Sequence, residues 1–544
     1  MGSLPSQTIV VDALVIGAGM GGIYSTYKLS CAGLNVRCID TALDVGGTWY
    51  WNRYPGAMSD TESYLYRYSW DKDELQTYPW THRYVYQPEI LAYLRHMTAK
   101  YDLRRHMTFE TSMESAKWDE TSSSWIVQCR SGGGATTLTF RTRHLVNCLG
   151  LLNKPNYPQI DGLASFAGQT IHTARWDNSV VLEGKRVGVI GNGSTGVQVM
   201  TAVAPIVGQL KSFQRHPQYS VPSGQGPVSR EYREKINADY DGIWERALAS
   251  KTGFGIHESQ RKTMDASPEE QRRAFQEVWD QGNGFRFMFG AFGDLTEDLA
   301  ANEAACAFIK SKIDDIVKDA RKAAALKPNE LYARRPLCDS GYYQIFNQDN
   351  VDIVDLRATP IHRIVPEGIV TRSLTDGQEE LHELDVLVFA TGFDAIEGSY
   401  MRVQIRGCQG LSLQDHWTSG PKSYGGIACH GFPNMFMVAG PQGPFSNFPP
   451  IIESEVDFIT ACILHADKHP KRRLEASEEA ETGWGETCVE SCEGSLFKSA
   501  ASWLFSTNIP GRKPIVKFYF GGLGKYREWV KDTELSGFRG FICA

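Results

Sequence analysis

Residues 10–22 read VVDALVIGAGMGG, an apolar and partly β-branched run that leads directly into a glycine-rich turn. The run predicts a strand, and the small and helix-forming residues after it predict a helix. Gly17, Gly19 and Gly22 have the GxGxxG spacing, in which glycines turn the chain, let a pyrophosphate reach backbone N–H groups, and pack helix against strand. This order predicts the start of a dinucleotide-binding unit.

A second predicted strand, at residues 35–39, ends at an acidic residue, Asp40. In a dinucleotide-binding unit, a carboxylate at this position hydrogen-bonds the adenosine ribose. We therefore expect Asp40 to hold the ribose of the first nucleotide.

The pattern recurs at residues 184–196, GKRVGVIGNGSTG, which predicts another strand, turn and helix. The glycines of this second fingerprint are Gly191, Gly193 and Gly196. The next predicted strand, at 210–213, is followed by Arg215 where an acid would suit NAD. A guanidinium suits the 2′-phosphate of NADP, so we expect FAD at the first site and NADPH at the second.

Two further stretches, LVNCLG at 145–150 and LVFATG at 387–392, predict strands after which the chain crosses between the nucleotide domains. The expected fold class is α/β, with two Rossmann-like dinucleotide-binding domains and a helical insertion. The expected domains are a discontinuous FAD-binding domain at 1–150 and 390–544, an NADP-binding domain at 151–228 and 332–389, and the insertion at 229–331.

The insertion is predicted to be helical. Ser267 and Glu270 form a capping-box pattern, with Pro268 at the first helical position. A later helix is expected to place the apolar side chains at 309–320 on one side.

Composition excludes several classes of protein. The 544 residues are 42% hydrophobic and 22% charged, which argues against a disordered chain and suggests three or four domains. The net charge of −7 and the lack of a basic run argue against nucleic acid as a partner. Glycine and aromatic residues are numerous, with 52 Gly, 13 Trp and 23 Tyr.

We expect a cytoplasmic protein without a membrane-spanning segment. No run of 18 apolar residues occurs, and the start lacks the pattern of a signal peptide. Gly2 and Ser6 fit a myristoylation pattern, and lipidation is left open. The twelve cysteines include no CxxC pair, so we expect neither a metal site nor a dithiol redox centre.

A more specific motif lies between the two fingerprints. Residues 166–177 read FAGQTIHTARWD, which resembles the FxGxxxHxxxW[P/D] motif of type I Baeyer–Villiger monooxygenases at every defined position. Residues 46–60, GGTWYWNRYPGAMSD, match a second pattern of that family. The resemblance continues at 334–343, 390–394 and 440–445, so it covers essentially the whole chain, and it is strongest to the cyclohexanone monooxygenase branch.

The resemblance implies an oxidoreductase that uses FAD, NADPH and O₂. NADPH would reduce the flavin, O₂ would form a flavin C4a-peroxide, and this peroxide would attack a ketone to give an ester or a lactone. It also implies catalytic roles for Arg335 and Asp60, since a fixed cation stabilises developing negative charge and a carboxylate holds it in place. The alternative for the two residues is a purely structural ion pair.

The resemblance assigns further residues to cofactors and substrate. Thr48 and Trp49 would contact FAD, and NADP would contact Ser194, Thr195, Gln198, Arg215, Arg334 and Trp503. The apolar substrate pocket would be lined by Leu151, Leu152, Phe285, Phe287, Phe445, Ser446, Phe448 and Phe518.

Three positions depart from the cyclohexanone-oxidising branch, which usually has Lys at 334, Thr at 446 and Leu at 448. The departures leave the phosphate contact geometry and the preferred ketone open. For His172, a hinge or packing role is favoured over direct participation.

Alternative functions remain. A flavin monooxygenase that oxygenates nitrogen or sulfur would share both nucleotide sites, although its motif usually closes with an aromatic residue other than Trp176. A non-catalytic redox sensor is disfavoured by the presence of both Arg335 and Asp60, and a disulfide reductase by the lack of a CxxC pair. We expect a monomer that acts on a small-molecule ketone.

Overall fold

The computed structural model describes residues 8–500, 502–507 and 513–544. The myristoylation pattern at Gly2 and Ser6 lies outside these residues. The strands of the described chain are β1 Thr8–Ile16, β2 Val36–Ile39, β3 Met107–Thr108, β4 Thr111–Asp119, β5 Ser124–Ser131, β6 Thr136–Asn147, β7 Lys154–Pro155, β8 Gln169–His172, β9 Arg186–Ile190, β10 Gln209–Gln214, β11 Ser220–Pro222, β12 Leu337–Asp339, β13 Val351–Asp355, β14 Ile361–Val365, β15 Gly368–Arg372, β16 Glu379–Glu383, β17 Val386–Phe389, β18 Phe393–Asp394, β19 Gln404–Arg406, β20 Met435–Met437, β21 Leu474–Ala476 and β22 Phe541–Cys543.

The α-helices are joined by loops and short 3₁₀ turns. They are α1 Met20–Cys31, α2 Thr48–Trp51, α3 Lys72–Thr77, α4 Gln87–Lys100, α5 Ser194–Val203, α6 Arg230–Ala238, α7 Tyr240–Ala249, α8 Pro268–Gln281, α9 Gly284–Gly290, α10 Leu299–Ile316, α11 Ala320–Leu326, α12 Tyr342–Ile345, α13 Glu397–Tyr400, α14 Leu413–His416, α15 Phe448–Ala466, α16 Glu478–Glu490 and α17 Leu523–Leu535.

The first fingerprint lies within an eight-stranded sheet. Its order is β19-β4-β5-β6-β1-β2-β3, and β20 pairs with the end of β6. β1 runs parallel to both β2 and β6, while β4, β5 and β6 form an antiparallel meander. β1 is buried at its carboxyl end, because its side chains on one face belong to a core with α1 and α15 and those on the other face to a core with β4 and β5. The predicted strand, turn and helix of the first unit are confirmed.

The second fingerprint lies within a separate five-stranded parallel sheet of order β13-β10-β9-β17-β8. β9 begins at Arg186, two residues later than the predicted strand, and leads into α5. The molecule therefore has the predicted α/β fold class, with a Rossmann-like unit in each sheet.

The two chain crossings lie side by side. After β6 the chain enters β7, and after β17 it enters β18. β7 and β18 pair antiparallel through Pro155 with Phe393 and Lys154 with Asp394. The segments that follow the two predicted strands thus form one short ribbon.

Six α-helices, α6–α11, occupy the region between β11 and β12, and these two strands pair in parallel. The capping box at Ser267 and Glu270 is present at the start of α8. The predicted helix across 309–320 is wrong in extent, because α10 ends at Ile316 and residue 317 is extended. Asp319 then caps a new helix, α11, by accepting hydrogen bonds from two backbone N–H groups.

Each of the two sheets that carry a fingerprint packs against its own apolar core. A third core joins α8–α10 to the aromatic side chains of Phe497, Phe505, Phe518 and Phe520. All twelve cysteines are free thiols. Among the described residues, no helix has both the length and the apolar character needed to cross a bilayer.

Candidate active site

A cavity of about 1580 Å³ lies between the two nucleotide units. A single small-molecule site usually has roughly 300–1,000 Å³, so this cavity has room for more than one ligand. Nearly all predicted site residues line it. The exceptions are Gly22, Gly196 and Phe287.

The first fingerprint leaves an open backbone surface toward the cavity. Gly17 has φ +103°, and a Cβ there would lie 2.4 Å from the carbonyl oxygen of Cys148. A Cβ at Gly22 would lie 1.7 Å from the carbonyl oxygen of Gly17, so this glycine permits the helix to pack against the turn. α1 begins after Gly19 without a side-chain cap, which leaves its first N–H groups available to a phosphate.

Asp40 lies at the cavity wall beside this turn. Its two carboxylate oxygens accept hydrogen bonds from the backbone N–H groups of Ala18 (2.6 Å) and Ala42 (2.7 Å). Burial raises the pKa of Asp40, and these backbone donors oppose that rise. The bonds fix the carboxylate at the place predicted for the ribose of FAD.

The second fingerprint repeats this arrangement. A Cβ at Gly191 would lie 2.5 Å from the carbonyl oxygen of Ala390, and one at Gly196 would lie 2.2 Å from that of Gly191. At Gly193, by contrast, a Cβ would meet no atom within 4 Å. The protein alone would therefore have room for a side chain at Gly193. Because glycine has none, the backbone at the uncapped start of α5 stays accessible from the cavity.

Two arginines lie beyond the second fingerprint. Arg215 follows β10, and Arg334 lies on the segment that enters β12; both line the cavity. Burial lowers the pKa of Arg334, and the like charge of Arg215 lowers it further, although Glu330 acts in the opposite direction. The Nε atom of Arg334 is buried and has no hydrogen-bond partner in the described chain. The pair suits a phosphate, which would supply the missing negative charge.

Arg335 and Asp60 meet where the two nucleotide units face each other. Nη1 of Arg335 donates to Oδ2 of Asp60 at 2.7 Å and to the hydroxyl of Ser194 at 3.3 Å. Ser194 is the first residue of α5, so the guanidinium joins the two units. The ring of Phe285 lies 5.1 Å from the guanidinium carbon. The other oxygen of Asp60 is buried and accepts no hydrogen bond from the described residues.

Asn283 is a positioning residue that the sequence did not reveal. Its amide donates to the carbonyl oxygen of Asp60 at 3.0 Å, and its carbonyl accepts from the backbone of Phe285 at 2.8 Å. Asn283 has φ +82°, which is uncommon for a residue other than glycine. The start of α9 is thereby tied to the acidic partner of Arg335.

Glu62 reinforces the same connection. One of its oxygens accepts hydrogen bonds from Arg83 (3.0 Å) and Arg286 (2.7 Å), and the other accepts from Tyr232. Burial alone would raise the pKa of Glu62, but the two guanidinium groups lower it. The carboxylate therefore stays charged and links the Asp60 segment to helices α6 and α9.

Two tyrosines of the cavity wall complete the polar surroundings. The indole N–H of Trp49 donates to the hydroxyl of Tyr66 at 3.0 Å, and the hydroxyl of Tyr54 donates to Gln198 at 2.8 Å. Burial raises the pKa of Tyr66 to about 12, so it stays protonated at neutral pH. The bond from Tyr54 connects the second motif, at 46–60, to the NADP-side helix α5.

The remaining wall is apolar and aromatic. Phe254 stacks on Phe285 with ring centroids 4.0 Å apart, and Phe445 packs edge-on against Phe518 at 5.6 Å. Trp503 also contacts Phe518 edge-on. Other wall residues that the sequence did not reveal are Phe289, Phe497 and Phe520.

The assignment of Phe287 to the pocket is not supported by the structure. Phe287 is fully buried and packs against Phe275, Trp279 and Phe308 in the core of the insertion. Residues two apart on a helix do not face the same side, so Phe285 and Phe287 of α9 point to different surroundings.

His172 lies behind the cavity wall, at the crossing ribbon. Its Nδ1 accepts a hydrogen bond from the backbone of Ala174, and its ring packs against Tyr157 at 4.8 Å. Burial lowers the pKa of His172 to about 4, so the ring is neutral. This placement suits packing at the crossing between the two sheets.

Comparison with known proteins agrees with this geometry. Residues 11–213 match the family described as "Flavin-binding monooxygenase-like". The chain is 46% identical over 537 residues to cyclohexanone 1,2-monooxygenase of Acinetobacter sp, covering 98% of this chain and 97% of that protein. It is 45% identical over 532 residues to phenazine N-monooxygenase PhzNO1 of Lysobacter antibioticus, covering 98% and 96%.

The solved structures include similar molecules. Cyclohexanone monooxygenase from Rhodococcus sp. Phi1 bound to NADP⁺ superposes with a TM-score of 0.95 at 50% identity, covering 99% of this chain and 100% of that one. The similarity therefore extends over both nucleotide units and the insertion.

Proposed function

The chain belongs to the Baeyer–Villiger monooxygenase family of flavin-binding enzymes, and we propose that Arg335, held by Asp60, stabilises the charge that develops on the ketone during its reaction. The enzyme uses FAD and NADPH to convert ketones to esters or lactones. In the balanced reaction, ketone, O₂, NADPH and a proton give ester, NADP⁺ and water. Bound FAD supplies the transfer of electrons from NADPH and the activation of O₂.

One observation carries this proposal: the Arg335–Asp60 ion pair lies in the cavity between two dinucleotide fingerprints. A guanidinium stays charged when it is enclosed, and Asp60 keeps it in one orientation. A fixed cation aimed at a developing oxyanion is worth roughly 10²–10³ in rate, because it needs no reorganisation during the reaction. The aromatic wall around it would exclude water and hold an apolar ketone.

The cofactor residues fall into two groups in this proposal. Gly17, Gly19 and Asp40, with Thr48 and Trp49, would hold FAD. Gly191, Gly193 and α5 would hold the pyrophosphate of NADPH. Arg215 and Arg334 would bind its 2′-phosphate, while Ser194, Thr195, Gln198 and Trp503 would contact the rest. The pocket residues Leu151, Leu152, Phe285, Phe445, Ser446, Phe448 and Phe518 would contact the ketone.

We also propose the domain division at 1–150 with 390–544, 151–228 with 332–389, and 229–331. The membership of β1–β6 in one sheet, and of β8, β9, β10, β13 and β17 in another, supports it. A monomer in the cytoplasm is part of the same proposal, and the twelve free thiols suit a reducing compartment.

The experiment is a product assay with the yellow holoenzyme, NADPH and O₂. Cyclohexanone should give ε-caprolactone, detected by gas chromatography, with one NADPH consumed per lactone. A failure to form any ester or lactone across cyclic, linear and aryl ketones would contradict the proposal.

Oxygenation of nitrogen is the second candidate, because one relative of 45% identity is a phenazine N-monooxygenase. The same assay with phenazine in place of the ketone distinguishes the two. Formation of the N-oxide without any lactone would favour this second function.

A further inference from the structure

The fold brings together three potential metal ligands far from the cavity. His465 lies in the last turn of α15, His469 follows four residues later, and Cys543 is the last residue of β22. One ligand atom from each of the three side chains lies within 4.8 Å of the others. No sequence motif indicates this cluster, because Cys543 is distant from the histidines along the chain.

From this cluster we infer a binding site for Zn²⁺ formed by His465, His469 and Cys543. The ligand set of two imidazoles and one thiolate is one that Zn²⁺ prefers, and solvent would supply the fourth ligand. Zn–N bonds of about 2.1 Å and Zn–S bonds of about 2.3 Å place tetrahedral donor atoms about 3.5 Å apart. Side-chain rotations would close the remaining difference.

The backbone holds the three side chains in place. Cys543 pairs with Leu474 in the ladder between β22 and β21, and Arg473 and Ala544 exchange backbone hydrogen bonds of 3.2 and 3.0 Å. β21 begins five residues after His469. The strand that carries the thiol is therefore fixed beside the end of α15 and the turn after it, which carry the two imidazoles.

The three side chains are available to an ion. Each is partly exposed, and Cys543 is a free thiol. The rings of His465 and His469 lie 4.9 Å apart, and Phe538 packs against His465 at 4.4 Å.

A second cluster shows why this one is distinctive. His416, Cys429 and Glu481 are also close together, but each of them already makes a hydrogen bond within the protein. Glu481 accepts hydrogen bonds from His416 and from the backbone of His430, and it pairs with Lys422. The thiol of Cys429 donates to the carbonyl oxygen of Lys422.

The test uses reduced holoenzyme dialysed against Zn²⁺, with bound metal measured by mass spectrometry. We expect one zinc ion per chain in the wild type and in Cys31→Ser, which removes an exposed thiol elsewhere. We expect that ion to be lost in Cys543→Ser and in His469→Ala. FAD content and circular dichroism establish that the variants are folded.

A second readout follows Cys543 itself. Bound Zn²⁺ should slow alkylation of the Cys543 peptide in the wild type and in Cys31→Ser, but not in His469→Ala. Retention of the zinc ion in Cys543→Ser, its loss only in His416→Asn, or binding of less than one ion per chain would each overturn the inference.

Discussion

At the scale of single residues, most site positions are fixed by local geometry that leaves a trace in the sequence. Gly17 and Gly191 need positive φ values of +103° and +104°, and Gly22 and Gly196 need the space of a missing side chain. These requirements arise within a few residues of each glycine, so spacing alone predicts them. Asn283 and Glu62 leave no such trace, because their roles depend on partners brought together by the fold.

Gly193 gives a sharp prediction at this scale. Its φ of −73° suits any residue, and a Cβ there would meet no protein atom within 4 Å. Gly193→Ala should therefore fold normally and retain FAD. NADP⁺ affinity should fall at least about tenfold, because the methyl group would occupy the surface that a pyrophosphate approaches. Titration calorimetry with NADP⁺ measures this.

Gly483→Ala is the matched control, since Gly483 also has nothing within 4 Å but lies in α16, away from the cavity. Equal NADP⁺ affinities for Gly193→Ala and the wild type would contradict the proposed pyrophosphate site.

Arg215 gives a second prediction. Loss of charge-assisted hydrogen bonds to a phosphate costs about 1.5–3 kcal/mol, so Arg215→Ala should raise the KM for NADPH roughly tenfold to a hundredfold. NADH lacks the 2′-phosphate, so its KM should be nearly unchanged. Steady-state kinetics with both coenzymes checks this, and an equal effect on both would exclude a role of Arg215 at the 2′-phosphate.

At the scale of elements, the sequence predicts that a helix is present more readily than it predicts where the helix ends. The helix expected across 309–320 ends at Ile316, because Asp319 starts a new helix by capping it. The sequence contains a signal for this break, because Asp319 is a typical N-cap residue and lies within the apolar pattern that predicts one continuous helix. In α9, the resemblance assigns both Phe285 and Phe287 to the pocket wall, whereas the 3.6-residue period of a helix sends one of them into the core.

A buried glutamate in helix α15 makes the free energy of unfolding depend on pH. Glu455 lies fully buried in this helix, and burial raises its pKa from 4.5 to about 8. Between these values the folded chain holds a proton that the unfolded chain has lost. Stability therefore falls as pH rises through this interval, by about 1.4 kcal/mol per pH unit for one such group.

Glu455→Gln keeps the shape of the protonated side chain and cannot ionise. Urea unfolding across the interval from 4.5 to 8 should show a shallower loss of stability in the variant, which becomes more stable than the wild type at the upper end. Glu453, whose pKa burial raises to about 7, remains in both proteins and cancels in the comparison. Parallel curves for the two proteins would contradict a buried, protonated Glu455.

At the scale of the whole molecule, the candidate active site lies where the two nucleotide units meet. Asp60 belongs to the chain that follows the first fingerprint, Arg335 lies on the segment that enters β12, and Ser194 begins α5. The family motifs predicted that these residues matter, but only the fold brings them together. The crossing ribbon of β7 and β18, with His172 packed behind it, connects the same two sheets.

The proposed role of Arg335 in stabilising charge on the ketone can be tested directly. Arg335→Ala should retain FAD, because Arg335 lies outside the first fingerprint, and it should still oxidise NADPH. Its lactone yield from cyclohexanone should fall by roughly 10²-fold or more, with hydrogen peroxide formed instead, since the developing charge loses its cation. Arg230→Ala, at an exposed site on α6, is the control that removes an arginine without touching the cavity.

The decisive measurement is lactone formed per NADPH oxidised by FAD-loaded Arg335→Ala at saturating NADPH. The proposed role of Arg335 predicts a ratio near zero, beside a ratio near one for the wild type and for Arg230→Ala. A ratio in Arg335→Ala equal to that of the wild type, with the same rate, would contradict it.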